Sequence, residues 1–269
     1  MPSRRIALAT AAVLTVLPAT AAGESTGGEG FALAWSRARP SQAFFDARRE
    51  PRLRYQIRAD RPVDLRIRVV KLGGRVVRGH TRGSVTPGER HSIDWGGVTR
   101  TGNPAPDGRY RWTIARRGGR QLRAGRFRLR GHEFPVDGPH AYGDRFGAPR
   151  SGGRTHEGQD LWAACGTRLV AARGGEVQAI GYSDALYGWY VTLDGRATSR
   201  DQLYSHLQPD LNVQRGECVR TGDRIGEVGR SGNAGSEGCQ LHFELWPRGR
   251  RNGSPIDPLA ELRRWDGWS

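Results

Sequence analysis

Residues 239–245 read CQLHFEL, a short segment in which polar and apolar side chains alternate. Successive side chains of a β-strand point to opposite faces of the sheet. One face would then carry the polar members, Gln240, His242 and Glu244, and the other the apolar members, Leu241, Phe243 and Leu245. The segment predicts a strand with one face in a core and an imidazole on the other. A core histidine bonded to a backbone carbonyl gives the same pattern, so this segment alone leaves both interpretations open.

A chain of 269 residues is long enough for two domains, each with its own core. It begins with a charged MPSRR, followed by an apolar stretch that ends in small residues at Ala19-Thr20-Ala21. This is typical of a signal peptide, which we place at 1–21. We therefore expect a secreted protein of the cell envelope, with no transmembrane span after signal removal.

Export would place the three cysteines, Cys165, Cys218 and Cys239, in a compartment where disulfides persist. Three cysteines allow at most one internal bridge. The residues alone do not choose among the three pairings.

The formal net charge is +16, and Lys71 is the only lysine. A basic exported protein is attracted to polyanions such as anionic wall polymers, lipid headgroups or nucleic acid. No helix-turn-helix, zinc-finger or aromatic RNA-binding motif occurs, so we expect no specific nucleic-acid binding.

The N-terminal half shows the period-two alternation of half-buried antiparallel strands, with arginines on the polar side, in segments 52–58, 64–70, 109–114 and 126–130. Glycine-rich turns separate these segments, which predicts a small β-sandwich over 45–131. We interpret its arginines as mostly a solvated sheet face and only secondarily as an adhesive surface. Residues 22–44 show no clean period and are predicted to be a linker.

Within this half, Ser92 to Ile114 contains a Trp95-Gly96 turn followed by Pro106-Asp107-Gly108-x-Tyr110. This pattern resembles the immunoglobulin-like module of flagellar hook-capping proteins. The resemblance implies a spacer or positioning domain and says little about activity.

From residue 132 the sequence becomes rich in glycine and proline, and strand-like segments resume at Leu169. The one candidate helix is short, at Pro258 to Arg264. We therefore predict an all-β protein with a second domain over 132–262 and a C-terminal tail over 263–269.

The second domain contains HEGQD, in which His156 and Asp160 lie four residues apart. Gly158 between them favours an extended run, which places both side chains on one face. A histidine and a carboxylate can share a zinc ion with a third nitrogen ligand, and the fourth position remains for water. His242 is the candidate third ligand.

The chain resembles the M23 zinc metallopeptidases of the LytM and lysostaphin type over about residues 132–260. The resemblance rests on three segments that occur in the order and spacing of that family: HEGQD, LYSHL at Leu203 to Leu207, and LHFEL at Leu241 to Leu245. The resemblance implies an antiparallel-sheet peptidase domain that cuts peptides of bacterial peptidoglycan. It implies Zn²⁺ held by His156, Asp160 and His242, zinc-bound water as the nucleophile, and His206 as a catalytic neighbour.

One position departs from the family pattern. Where the family usually has a second catalytic histidine, this chain has Gln240. An amide cannot take up a proton near neutral pH, so Gln240 can orient water or brace an oxyanion but cannot be the general base. Loss of a positioned acid or base costs about 10²- to 10⁴-fold in rate. Two readings follow: a slow or specialised hydrolase, and a zinc-bound wall-binding or regulatory protein without activity.

Overall fold

The computed structural model describes residues 25–26, 30–250 and 253–269. The predicted signal peptide at 1–21 lies outside the described residues. Among the described residues, none of the helices has the length and apolar character needed to span a bilayer.

The N-terminal half is a sandwich of two β-sheets. One sheet has the strand order β1-β2-β4-β7 and the other β3-β9-β8-β5-β6. Their strands are β1 (Ser25–Thr26), β2 (Phe31–Arg39), β3 (Gln42–Phe44), β4 (Arg52–Ala59), β5 (Val63–Lys71), β6 (Val76–Val85), β7 (His91–Asp94), β8 (Gly108–Arg116) and β9 (Leu122–Arg130). The predicted β-sandwich is confirmed; the likeness to the hook-capping module remains a prediction.

Alternating side chains of the two sheets interdigitate in one apolar core. Tyr55, Trp112 and Ile114 are fully buried there. Phe127 stacks on Tyr110, with ring centroids 5.6 Å apart. The arginines between these apolar positions therefore point away from the core, as the alternation predicts.

The linker predicted over 22–44 is wrong where the structure describes residues 31–44. The strand β2 pairs along its length with β4, and Phe31 and Leu33 are buried in the sandwich core. The register shifts between Leu33 and Trp35, so a bulge interrupts the alternation and conceals the strand from a search for period two. Residues 22–24 and 27–29 lie outside the described part.

The C-terminal half is built on a seven-stranded antiparallel sheet of order β11-β12-β19-β16-β15-β14-β17, beside a three-stranded sheet β10-β13-β18. The elements are β10 (Val136–Asp137), β11 (His140–Tyr142), β12 (Gln159–Ala163), β13 (Arg168–Val170), β14 (Gly175–Ser183), β15 (Gly188–Gly195), β16 (Arg200–Leu207), β17 (Cys218–Val219), β18 (Arg224–Glu227), β19 (Gln240–Pro247) and α1 (Leu259–Asp266). The predicted all-β class is confirmed, with short 3₁₀ turns at Ser151–Gly153 and Gly232–Ala234.

The short C-terminal helix is confirmed, but the tail predicted over 263–269 is wrong. The helix α1 continues to Asp266, and Leu262 and Trp265, three residues apart on one face, are fully buried in the core of this half. The indole Nε1 of Trp268 donates to the carbonyl oxygen of His132 at 3.0 Å. The last residues are therefore part of the domain.

Of the three pairings that the sequence left open, the structure contains Cys165–Cys239, and Cys218 is exposed and free. Cys239 immediately precedes β19, and Cys165 follows β12 by two residues. The bridge therefore ties together two neighbouring strands of the large sheet.

The two halves contact each other through charged groups. The guanidinium of Arg48 makes two hydrogen bonds to the carboxylate of Asp223, at 2.5 and 2.9 Å. Arg173 is buried, with its guanidinium 3.9 Å from the ring centroid of Phe45 and a 2.7 Å hydrogen bond to the carbonyl oxygen of Gly131. Since β9 ends at Arg130, this buried arginine anchors the junction.

Candidate metal centre

Two paired strands and the loop before one of them bring the three predicted ligands together. Asp160 on β12 lies directly opposite His242 on β19 in the antiparallel register. His156 precedes β12, and its backbone nitrogen donates to the carbonyl oxygen of Ala148 at 2.8 Å. All three side chains are buried, with 5%, 2% and 7% of the surface of His156, Asp160 and His242 exposed.

Three donor atoms of these residues converge. His156 Nε2 lies 3.0 Å from Asp160 Oδ1 and 2.8 Å from His242 Nδ1. The distance between His242 Nδ1 and Asp160 Oδ1 is 2.8 Å. No other group of at least three histidine, cysteine or acidic residues in the described part of the chain has its ligand atoms this close together.

In each imidazole, one ring nitrogen faces the cluster and the other faces away from it. The hydrogen-bond partner of the nitrogen that faces away (the outward nitrogen) determines whether the nitrogen that faces the cluster (the inward nitrogen) carries a proton. His156 Nδ1 lies 2.9 Å from the carbonyl oxygen of Arg145, and His242 Nε2 lies 2.9 Å from Glu244 Oε1. A carbonyl and a carboxylate can only accept, so both outward nitrogens carry the proton. In the neutral rings the inward nitrogens therefore present lone pairs, which face each other and a carboxylate oxygen.

Three lone pairs at such short separations need positive charge between them. Burial alone would lower the pKa of His242, but hydrogen bonds to Asp160 and Glu244 and their negative charges raise it to about 9. Burial would raise the pKa of Asp160, and bonds from His156 and His242 lower it well below its ordinary value. The same negative charges that favour a proton on His242 would favour a divalent cation between these atoms, and binding of the cation would release the proton.

The donor set fits the group that the sequence predicts. Two imidazole nitrogens and one carboxylate oxygen, with a side open to a cleft, are the protein ligands typical of catalytic zinc sites. The residues His156, Asp160 and His242 would hold the ion.

Glu244 lies beside the predicted ligand His242 on the same strand. It is completely buried, and its second oxygen, Oε2, accepts a 2.5 Å hydrogen bond from Trp246 Nε1. Glu244 therefore fixes the orientation of the His242 ring through a hydrogen bond to Nε2, the nitrogen that faces away from the cluster. Carboxylates that do not touch the metal commonly orient ligand histidines in this way.

Gly158 is required by the close approach of β19. A Cβ atom at this position would lie 2.5 Å from the carbonyl oxygen of Phe243 and 2.9 Å from His242 Nε2. Any side chain here would displace the ligand ring.

Arg150 was not predicted as a site residue. Its guanidinium donates to Asp160 Oδ2 at 3.1 Å and to Asp144 Oδ2 at 2.6 Å. It thereby occupies the carboxylate oxygen that does not face the histidines. The chain contains 43 lysines and arginines, and no local pattern distinguishes this one.

His206 reaches the cleft because the backbone of β16 is kinked. In the register Ser205, not His206, lies opposite His242, and the φ angle of His206 is 64°. Its Nδ1 donates to the carbonyl oxygen of Ser231 at 2.9 Å, which leaves Nε2 unprotonated in the neutral ring. Burial and the charge of His242 lower the pKa of His206 to about 4, despite the bond to Ser231.

Regular strand alternation along β16 would place Tyr204 on the same face as His206, but the structure separates the two side chains. Tyr204 is fully buried in the core, and its hydroxyl oxygen accepts a 2.8 Å hydrogen bond from the backbone nitrogen of Ala172. The left-handed conformation of His206 breaks the alternation between the two residues.

Gln240 lies on the cleft face of β19, as its alternation with His242 predicts. Its Nε2 donates to Glu237 Oε2 at 3.3 Å, and its buried Oε1 has no hydrogen-bond partner among the described residues. The amide oxygen is therefore available to accept a bond from a molecule in the cleft. Glu237, which no sequence motif marks, orients this amide.

The predicted ligands, His206 and Gln240 all border one cavity of about 760 Å³. Its other walls include Arg154, Glu157 and Tyr187. The cavity is lined by both basic and acidic side chains, so its charge is mixed.

The same half of the chain is recognised by comparison with known proteins. Residues 154–258 match Peptidase family M23. This match covers less than half of the chain and identifies a Peptidase M23 domain around the site. The chain is 31% identical to the cell division protein DipM of Caulobacter vibrioides over 117 residues, 42% of this chain and 18% of DipM. It thus spans under a fifth of that relative.

Similar solved structures include two catalytic domains. One is that of lysostaphin, an antimicrobial peptidase from Staphylococcus simulans, with 28% identity, coverage of 46% of this chain and 92% of that chain, and a TM-score of 0.42. The other is a mutant form of the prophage-encoded M23 protein EnpA from Enterococcus faecalis, with 29% identity, coverage of 46% and 93%, and a TM-score of 0.40.

Proposed function

We propose that the protein is an exported zinc metalloendopeptidase that hydrolyses peptide bonds in bacterial cell-wall peptidoglycan. The family match over 154–258 supports a peptidase. The basic N-terminal segment 1–21 supports export, and a relative described as a cell division protein is consistent with work on the cell envelope.

One observation carries the proposal. Two histidines whose outward nitrogens must be protonated turn their lone pairs towards each other and towards a buried carboxylate. Such an arrangement is costly without a cation and favourable with one.

Each surrounding residue then has a role in peptide hydrolysis. A bound zinc ion would activate water at neutral pH and polarise the scissile carbonyl. His206, whose Nδ1 proton is held by the carbonyl oxygen of Ser231, would accept the proton of the attacking water through Nε2 and transfer it to the leaving amine. Gln240 orients water or substrate through its unpartnered amide oxygen.

The second candidate function is a wall-binding or regulatory protein that binds zinc but does not hydrolyse peptides. The observation that favours it is Gln240, since the amide on the cleft face of β19 cannot transfer protons. The intact ligand set and the orientation of His206 favour the enzyme.

Digestion of purified peptidoglycan separates the two candidates. Zinc-loaded protein should release peptides with new amino termini, detected by mass spectrometry, and a chelator should abolish the release. The variant His206→Ala should be slower by about 10²-fold or more with zinc affinity nearly unchanged.

A Gln240→His variant supplies the comparison. Release of peptides by this variant but not by the zinc-loaded wild type would establish the non-catalytic candidate. Failure of both, with zinc bound and the fold intact, would overturn the peptidase proposal.

A further inference from the structure

The outer surface of the five-stranded sheet in the sandwich carries a concentrated set of arginines, which we call the basic face. It consists of Arg66 and Arg68 on β5, Arg109 and Arg111 on β8, and Arg126 and Arg128 on β9. These residues alternate with the buried core residues of the same strands, so all six point outward.

The strand register places like charges directly opposite each other. Arg109 pairs with Arg128, and Arg111 pairs with Arg126. Like charges at directly opposed positions destabilise a sheet. The apolar core lies on the opposite face of the sheet and does not require arginine at these outward positions. Core packing therefore does not explain why arginines lie opposite arginines.

The basic face also lacks counter-charges. None of its six guanidinium groups makes an ion pair or a side-chain hydrogen bond to any described residue, and Arg111 Nε is buried without a partner. The described strands of this sheet carry one carboxylate, Asp64, which accepts a 3.1 Å hydrogen bond from the backbone nitrogen of Ser84. Some arginines elsewhere do have such a partner, as Arg52 has in Asp94.

The geometry suits an extended chain of phosphates. Successive outward residues of a strand are about 7 Å apart and neighbouring strands about 4.8 Å, so the arginine side chains leave the sheet from regularly spaced positions. A guanidinium binds phosphate through two parallel hydrogen bonds.

The surface between the arginines favours a polymer without bases. The outward positions of β8 next to Arg111 are Thr113 and Ala115. No aromatic side chain lies among the outward residues of β5, β8 and β9. Proteins that bind single-stranded nucleic acid use aromatic rings as stacking platforms, and the three strands that carry the basic face present none on this side; Phe44 and Trp268 lie at its edge, beside Arg130.

We propose that the basic face binds a phosphodiester-linked polyol polymer of the cell envelope, of the teichoic-acid type. The choice of an envelope polymer rests on the proposed function, whereas the affinity for a phosphate chain rests on the basic face alone. The sandwich would hold the peptidase domain against the wall.

The test uses the full chain and soluble poly(glycerol phosphate) as the probe. The variant R109Q/R111Q/R126Q removes three charges from the basic face. The control R37Q/R39Q/R54Q removes three charges from outward positions of β2 and β4 in the other sheet, where Arg37 lies opposite Arg54. Circular dichroism and urea unfolding check that both variants fold.

The basic-face variant should bind the polymer at least about tenfold more weakly, with a flatter dependence of affinity on salt. The control should stay within about twofold of the wild type. Equal losses in both variants would show attraction by net charge alone and overturn the proposal. Tighter binding of the wild type to single-stranded oligothymidine or to anionic vesicles than to the polymer would also overturn it.

Hydrolysis of soluble peptidoglycan fragments, measured in parallel, separates this proposal from the proposed function. Both triple variants should cleave these fragments at the wild-type rate. Polymer binding without hydrolysis would refute the peptidase alone, and hydrolysis without selective loss of binding would refute the basic-face proposal alone.

Discussion

Replacement of Glu244 by glutamine tests whether the hydrogen-bond network behind His242 sets its metal affinity. Glu244 accepts two hydrogen bonds, from His242 Nε2 at 2.9 Å and from Trp246 Nε1 at 2.5 Å. A glutamine has one acceptor oxygen and one amide group that donates. In Glu244→Gln, one of the two N–H groups must therefore face another donor.

Both orientations of the glutamine amide weaken metal binding at the site. If the amide oxygen faces His242, the buried N–H of Trp246 loses its partner, and the imidazole loses a charged acceptor that raises its basicity. If the amide group faces His242, Nε2 must become the acceptor and the proton moves to Nδ1, the nitrogen that should bind the metal. We expect zinc affinity to fall by about 10- to 100-fold, which is about 1.4 to 2.7 kcal/mol.

Competition with a chromophoric chelator measures the affinity, and ¹⁵N chemical shifts of the imidazoles report which nitrogen of His242 carries the proton. Trp246→Phe is the matched control because it removes only the second donor to Glu244, and its zinc affinity should change less than about threefold. An E244Q protein with unchanged metal-free stability that binds zinc within twofold of the wild type would refute this account of the tautomers.

Two further predictions concern stability. The C165S/C239S variant, which opens a loop closed across 74 residues, should lose about 4 kcal/mol of unfolding free energy in urea titrations, whereas C218S should lose under about 0.5 kcal/mol; equal effects would refute a structural role for the bridge. Burial and nearby arginines lower the pKa of His132 to about 3, so the unfolded chain binds the extra proton first as the pH falls below about 6.5. His132 should contribute a loss of roughly 1 kcal/mol of stability per pH unit between pH 6 and 4, and His206, with its pKa of about 4, should contribute a similar loss. The variant His132→Phe, which preserves stacking on Trp265 at 4.5 Å, should therefore remove about half of the combined slope; parallel slopes would contradict it.

The sequence predicts those parts of the site that follow from regular strand geometry. Alternation in CQLHFEL places Gln240, His242 and Glu244 on the cleft face, and the structure confirms it. The spacing of His156 and Asp160 brings both to one point because Gly158 leaves room for the facing strand. The sandwich follows from the same period of two.

Irregular backbone limits what alternation can predict. The bulge between Leu33 and Trp35 conceals β2, and the left-handed conformation of His206 separates it from Tyr204. Both features are single-residue departures from the strand period, and neither leaves a glycine or proline in the sequence to mark it.

The tautomers that would suit the site to a cation depend on groups that side-chain identity does not reveal. The proton on His156 Nδ1 is held by the main-chain carbonyl of Arg145, which any residue at that position would supply. Asp160 is oriented by Arg150, one arginine among many, through a loop whose path the sequence does not determine. Residue type and spacing therefore predict which atoms would be the metal ligands, whereas their protonation state follows only from the folded backbone. Substitutions that keep the ligands but move the 145–150 loop should for this reason weaken metal binding.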